Sequence, residues 1–144
     1  MEGPKKDQTF NEINNDKELV YKSNHFLLEL YRCDHDKLND ESFLCCLLNK
    51  AAKLANAKVL NLISNKFEPQ GVTAIALLAE SHLSIHTWPE ERYSAVDIFT
   101  CGQNMKPDLS CKYLIESLMA EEHLLRVINR NPPLNIQNQQ RIIN

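Results

Sequence analysis

Between Val72 and Thr100 three strand-like segments follow one another with links of only a few residues, and that spacing restricts the fold more than any other feature. Val72–Ala79 is nearly continuous in apolar side chains, which predicts a strand buried on both faces. Leu83–Trp88 carries the β-branched Ile85 and the β-branched Thr87 and stops at Pro89, and Tyr93–Thr100 stops at Gly102. Hairpin-length links force mostly antiparallel pairing, because a parallel crossover consumes about a dozen residues or more.

Two further strands are predicted upstream. His25–Tyr31 is short, apolar and aromatic and is stopped by Asp34 and Asp36; Val59–Phe67 alternates less cleanly. Glu68-Pro69-Gln70-Gly71 reads as a turn, with proline presetting one backbone angle and glycine closing it. From Asn39 or Asp40, both good N-caps, Phe43, Leu44, Leu47, Leu48, Ala51, Leu54 and Ala55 recur at three- and four-residue steps and form one amphipathic helical stripe. After Pro107 a second helix is predicted to about Arg130, with Leu109, Tyr113, Leu114, Leu118, Leu124 and Leu125 facing inward. The order β-α-β-β-β-β-α implies an α+β two-layer sandwich, a mostly antiparallel sheet with two helices on one face.

The 144 residues suffice for one domain. Residues 1–17 read as a polar, mobile arm, 18–130 as the folded unit and 131–144 as a polar tail. A net charge of -3 gives no basic excess for tracking nucleic-acid phosphates. The longest apolar run, Ala74–Ala79, is far short of the roughly 20 residues of a membrane span, and the amino terminus lacks a secretory signal's apolar stretch. A soluble, cytoplasmic protein is expected. The cysteines (Cys33, Cys45, Cys46, Cys101 and Cys111) are odd in number and contain no C-x-x-C, which argues against a disulfide framework or a zinc ribbon.

The dense polar cluster is Glu80-Ser81-His82-Leu83-Ser84-Ile85-His86-Thr87-Trp88-Pro89-Glu90, set where the apolar strand stops. On a strand, His82 and His86 share a face but lie roughly 13 Å apart, too far for one ion. No metal is therefore expected. By residue type alone, Ser81 reads as a turn serine and His86 as a hydrogen-bonded strand residue.

The run Ala79–Glu90, followed by Tyr93–Gly102, resembles the signature of the short prokaryotic S-adenosylmethionine decarboxylase proenzymes. The likeness extends through Lys66-Phe67-Glu68-Pro69-Gln70-Gly71-Val72 and His25–Ala55, covering about residues 24 to 120. It implies self-cleavage between Glu80 and Ser81. The Ser81 hydroxyl attacks the Glu80 carbonyl, turning amide into ester; a base, His86 by the family pattern, removes the Ser81 α-proton; and elimination then hydrolysis leave a pyruvoyl group. That cofactor, made from Ser81 without metal or pyridoxal phosphate, forms a Schiff base with the substrate and accepts electrons as carbon dioxide leaves. Cys101 matches the family's proton donor, Phe67 an aromatic stacked on adenine, and Glu90 an acid binding the ribose diol. Thr73 and His82 support processing. Strand parity puts Ser81 and His86 on opposite faces, so a bend is expected at or after Ser81.

The sequence departs from the family pattern in three places: Thr73 stands for a serine, Arg92 for a glycine, and Ser23-Asn24 for a Gly-Arg/Lys pair. The resemblance implies decarboxylation of S-adenosylmethionine, supplying the aminopropyl donor for spermidine, by a homodimer with no nucleic-acid or membrane partner. Two alternatives stay open: a pyruvoyl enzyme for a plain amino acid such as ornithine or arginine, which the altered turn at Arg92 motivates, and an uncleaved, non-catalytic partner subunit.

Overall fold

The computed structural model of this chain describes residues 23–102 and 104–130. Strand β1 (Ser23–Tyr31) leads through one helical turn, α1 (His35–Leu38), to the long helix α2 (Glu41–Leu54). Three strands follow, β2 (Val59–Lys66), β3 (Val72–Leu78) and β4 (Ser81–Trp88), and a 3-10 turn (Pro89–Glu91) joins β4 to β5 (Tyr93–Cys101). Helix α3 (Pro107–Ser117) and strand β6 (Glu122–Arg130) complete the described chain. The strands form one sheet in the order β2-β3-β4-β5-β1-β6, every pair antiparallel. The predicted arm (1–17) and tail (131–144) lie outside the described residues. No helix among the described residues is long and apolar enough to cross a membrane.

Strand periodicity sorts the sheet into two faces. Phe26, Leu28 and Leu30 of β1, Val72, Ala74, Ala76 and Leu78 of β3, Leu83 and Ile85 of β4, and Val96 and Ile98 of β5 point one way and are buried. Leu44, Leu47, Leu48, Ala51 and Ala52 of α2 and Cys111 and Leu114 of α3 meet them in a single core. The Asp40 side chain caps α2, accepting from Phe43 N–H at 2.9 Å. Both predicted helices therefore cover one face, and α1 adds a single turn.

Two predictions need correction. The helix expected to reach Arg130 ends at Ser117. Met119 takes a left-handed backbone (φ 55°), and the Met119 and Ala120 N–H groups donate back to Glu116 and Ile115. This closes the helix as a Schellman turn does, without its usual glycine. The next residues, with β-branched Val127 and Ile128, pair with β1 from Tyr31↔Glu122 to Ser23↔Arg130 and cover its edge. Secondly, β3 buries one face, not two. Thr73 and Ile75 are half-buried and Leu77 is 52% exposed on the side away from the helices, where no described element packs.

Candidate active site

The chemically notable side chains fall at two ends of the three central strands. At one end, Thr73 of β3 pairs with His86 of β4, and Thr73 Oγ1 lies 2.9 Å from His86 Nδ1. In the tautomer whose Nε2 acts as a base, Nδ1–H donates to the threonine oxygen. Two loops border this pair. The Phe67–Gly71 turn carries Phe67, 50% exposed, and the Pro89–Glu91 turn carries Glu90, exposed. The loops lie against each other: a Cβ on Gly71, whose φ is +99°, would come within 3.0 Å of Thr87 O and 3.9 Å of Pro89 Cδ.

Buried polar contacts lock this end. Thr87 Oγ1 donates to Leu38 O (2.7 Å) and accepts from Val72 N–H (2.9 Å). Gly71 N–H donates to Asn39 Oδ1 at 3.0 Å. On the uncovered face, Trp88 stacks on Tyr93 (5.2 Å between centroids), which stacks on Tyr31 (5.6 Å). The Tyr93 hydroxyl donates to Glu29; burial first, and then that carboxylate, push its pKa upward.

At the other end, Ala79 and Glu80 form the tight link between Leu78 and Ser81, which are partners across β3 and β4. The β4–β5 register closes with His82↔Phe99. Cys101 ends β5 at this same end of the sheet, and its sulfur accepts from Ser23 Oγ at 3.4 Å. Ser81 and Cys101 are both half-buried.

The expected bend is not found: the β3–β4 register runs unbroken from Leu78↔Ser81 to Thr73↔His86. Ser81 points to the helix side and His86 to the uncovered side, and five strand steps separate them by roughly 17 Å. One chain therefore brings Thr73 to His86, and Phe67 to the neighbourhood of Glu90, but does not bring His86 to Ser81. His82 shares the uncovered face with His86 yet sits at the Ser81 end.

Sequence reasoning missed a cluster on that face. His25 Nε2 lies 3.2 Å from Asp97 Oδ1, Ser84 Oγ reaches Asp97 Oδ2 at 3.5 Å, and the His25, His82 and Phe99 rings form a triangle with centroids 5.8–6.1 Å apart. The available signal was parity: His25 alternates with buried Phe26 and so faces away from the core. Among the described residues no group of three or more His, Cys, Asp or Glu side chains could hold a metal ion.

A sequence model of the S-adenosylmethionine decarboxylase family matches residues 24–131. The S-adenosylmethionine decarboxylase proenzyme of Prochlorococcus marinus (strain MIT 9313) is 58% identical over 109 residues, spanning 76% of this chain and 87% of that protein. The proenzyme of the same name from Caldicellulosiruptor saccharolyticus is 41% identical over 106 residues, 74% of this chain and 86% of that one. The crystal structure of the adenosylmethionine decarboxylase from Aquifex aeolicus VF5 superposes with a TM-score of 0.74 at 33% identity, covering 83% of this chain and 98% of that one.

Proposed function

The chain belongs to the S-adenosylmethionine decarboxylase family, and we propose that it acquires this activity by cutting itself between Glu80 and Ser81. It is an enzyme, a carboxy-lyase for S-adenosylmethionine, and its product is the aminopropyl donor for spermidine synthesis. The relatives support that substrate and give no support to a plain amino acid or to a non-catalytic subunit.

The observation that carries the self-cleavage reading is the placement of the Glu80–Ser81 bond in the tight β3–β4 turn, at the sheet end where β5 finishes in Cys101. Ser81 Oγ attacks the adjacent Glu80 carbonyl carbon and the peptide nitrogen leaves as an amine. A base takes the Ser81 α-proton, the Cβ–O bond breaks, and the Glu80 carboxylate departs. Water then replaces the nitrogen, which leaves as ammonia. The residues present fit a keto group at position 81: the site is half open, it begins a strand gripped by β3 and β5, and a thiol stands on the neighbouring strand. In place, the group supplies an electron sink for loss of carbon dioxide from an amine substrate. Scission releases the β4 terminus from its turn, so that it can swing toward Cys101, which delivers the proton to the product carbon.

Since Ser81 and His86 of one chain cannot meet, the site is shared by two copies. The Glu80–Ser81 turn and Cys101 at one protomer's sheet end lie against Thr73, His86, Phe67 and Glu90 of its partner, and the Ser81 side chain turns from the helix side toward them. The uncovered face suits that pairing, because Ile63, Leu77, Trp88 and Ile128 on it are each between 41% and 60% exposed. Phe67 stacks on the adenine, Glu90 accepts from the ribose hydroxyls, and His86 with Thr73 moves the Ser81 α-proton. Free thiols at all five cysteines agree with work in the cytoplasm.

Denaturing mass spectrometry of active protein tests this: two chains are expected, residues 1–80 and a second beginning at position 81. They stay together in native buffer, because 1–80 supplies β1, β2 and β3, interleaved with β4, β5 and β6 from 81–144. Ser81→Ala stays whole and inactive. A full-length species with unmodified Ser81 and full activity overturns the reading.

A further inference from the structure

Arg92 is the one residue at this site whose backbone and side chain both depart from what its position needs. It follows the Pro89–Glu91 turn in a left-handed conformation (φ 51°, ψ 37°), where glycine is the undemanding choice. Such outliers persist where the surroundings hold them, and the holding contacts are visible. Arg92 N–H donates to Pro89 O at 3.0 Å and closes the turn, and Arg92 O accepts from Cys33 N–H at 2.9 Å. The guanidinium reaches back to the same place: Nε donates to Cys33 O at 2.7 Å and Nη2 to Arg32 O at 3.2 Å. Arg32 is itself left-handed (φ 53°), and Cys33 is fully buried in the core. A glycine at 92 keeps the backbone bonds and loses both guanidinium bonds.

We propose that Arg92 is a positioning residue for Glu90, its guanidinium clasping the β1–α1 loop so that the Pro89–Glu91 turn holds that carboxylate in place for the substrate's ribose hydroxyls. This rests on the reading of Glu90 as the ribose contact. The clasp holds Arg92 just after the turn, while Trp88 just before it stacks on Tyr93, which stacks on Tyr31. Glu90 lies between the two anchored ends. A planar fork suits the task because it spans two adjacent carbonyls, which a single ammonium does not.

Steady-state kinetics with S-adenosylmethionine test it, using the processed enzyme and melting curves for every variant. Arg92→Gly is expected to raise KM about fivefold to tenfold while kcat changes less than about twofold, the pattern of a lost binding contact. Melting moves little, since relief of the left-handed backbone offsets the lost bonds. Arg92→Lys, which reaches one carbonyl, falls between. In a Glu90→Gln background Arg92→Gly adds less than about twofold, as expected of two residues acting as one unit. If Glu90→Gln leaves KM unchanged, the ribose reading and this inference fall together. If Glu90→Gln raises KM but Arg92→Gly does not, or their effects multiply, the clasp alone is overturned.

Discussion

The two ends of the central strands are built on opposite plans. The end bearing Phe67, Thr73, His86 and Glu90 is tied by side-chain hydrogen bonds to the segment 32–39 outside the sheet: Asn39 holds Gly71, Thr87 ties β3 and β4 to the Leu38 carbonyl, and Arg92 grips Arg32 and Cys33. The end bearing Ser81 and Cys101 has lighter ties, among them Ala79 N–H to Lys58 O at 3.0 Å and Ser23 Oγ to Cys101 Sγ. A base and a binding loop serve best when preorganised, because any reorganisation adds to the barrier. On the proposed self-cleavage, the Glu80–Ser81 bond breaks and the new terminus moves, and both are better left with few restraints. The contrast teaches that rigidity is placed according to whether a residue keeps its covalent surroundings.

The sharpest way to break this comparison is to ask whether the two ends ever serve one chain. Ser81→Ala and His86→Ala are each expected to be inactive alone. Co-expressed, they should recover about a quarter of wild-type activity, because half the random dimers are mixed and one of two sites in each is intact. Gel filtration at the dimer position should accompany the recovery. No recovery means that each site is built within one chain and that Ser81 crosses the sheet to its own His86.

The next test removes a tie. Thr87→Val keeps the shape and leaves Leu38 O and Val72 N–H buried without that partner, a cost of about 2–3 kcal/mol. Gly71→Ala adds a methyl at φ +99° against the Thr87 carbonyl and belongs in the same range. Each should lower the melting temperature by roughly 5–10 °C for a chain of this size. Ser23→Ala, at the lightly tied end, should cost about 1 kcal/mol or less. Equal losses at the two ends would erase the distinction.

How much of this was legible beforehand follows from which forces act locally. The helical stripe of α2 and the antiparallel order of β3, β4 and β5 are written in neighbouring residues, and both stand. β6 was misread because Leu124 and Leu125 extend a helical spacing; its strand state depends on a vacant edge of β1, a contact nearly 100 positions away in sequence. Ser81 and Cys101 were singled out only by resemblance, since a serine at a strand's start has no chemistry by residue type. The fold then places the start of β4 and the end of β5 at one end of the sheet, a proximity no local pattern encodes. The bend inferred between Ser81 and His86 came from forcing one chain to hold the whole site. The unbroken β3–β4 register excludes that bend, and the proposed function takes the missing half of the site from a second copy.

The cysteines give the finest probe of the two ends, because each end holds one. Cys33, under the Arg92 clasp, has no exposed surface; burial pushes its thiol up to about 11, the charge of Arg92 pulling it partly back. Cys111 in the core is pushed up to about 12 by burial and then by Asp108. Only a thiolate reacts readily, so brief iodoacetamide treatment at pH 8 should label exposed Cys46 and half-buried Cys101 while sparing Cys33 and Cys111. S-adenosylmethionine should protect Cys101 and not Cys46. The same raised values fix the sign of an alkaline effect. The folded state holds these protons more tightly than the unfolded chain, so their contribution to stability is complete below about pH 8.5. It is lost as pH climbs through 11 and 12, and melting temperature should decline over that span. Arg92→Gly removes the charge that favours the Cys33 thiolate, and should delay Cys33 labelling to higher pH. Labelling of Cys33 at pH 8 as fast as Cys101 would show the clasped end to be no tighter than the end bearing Ser81.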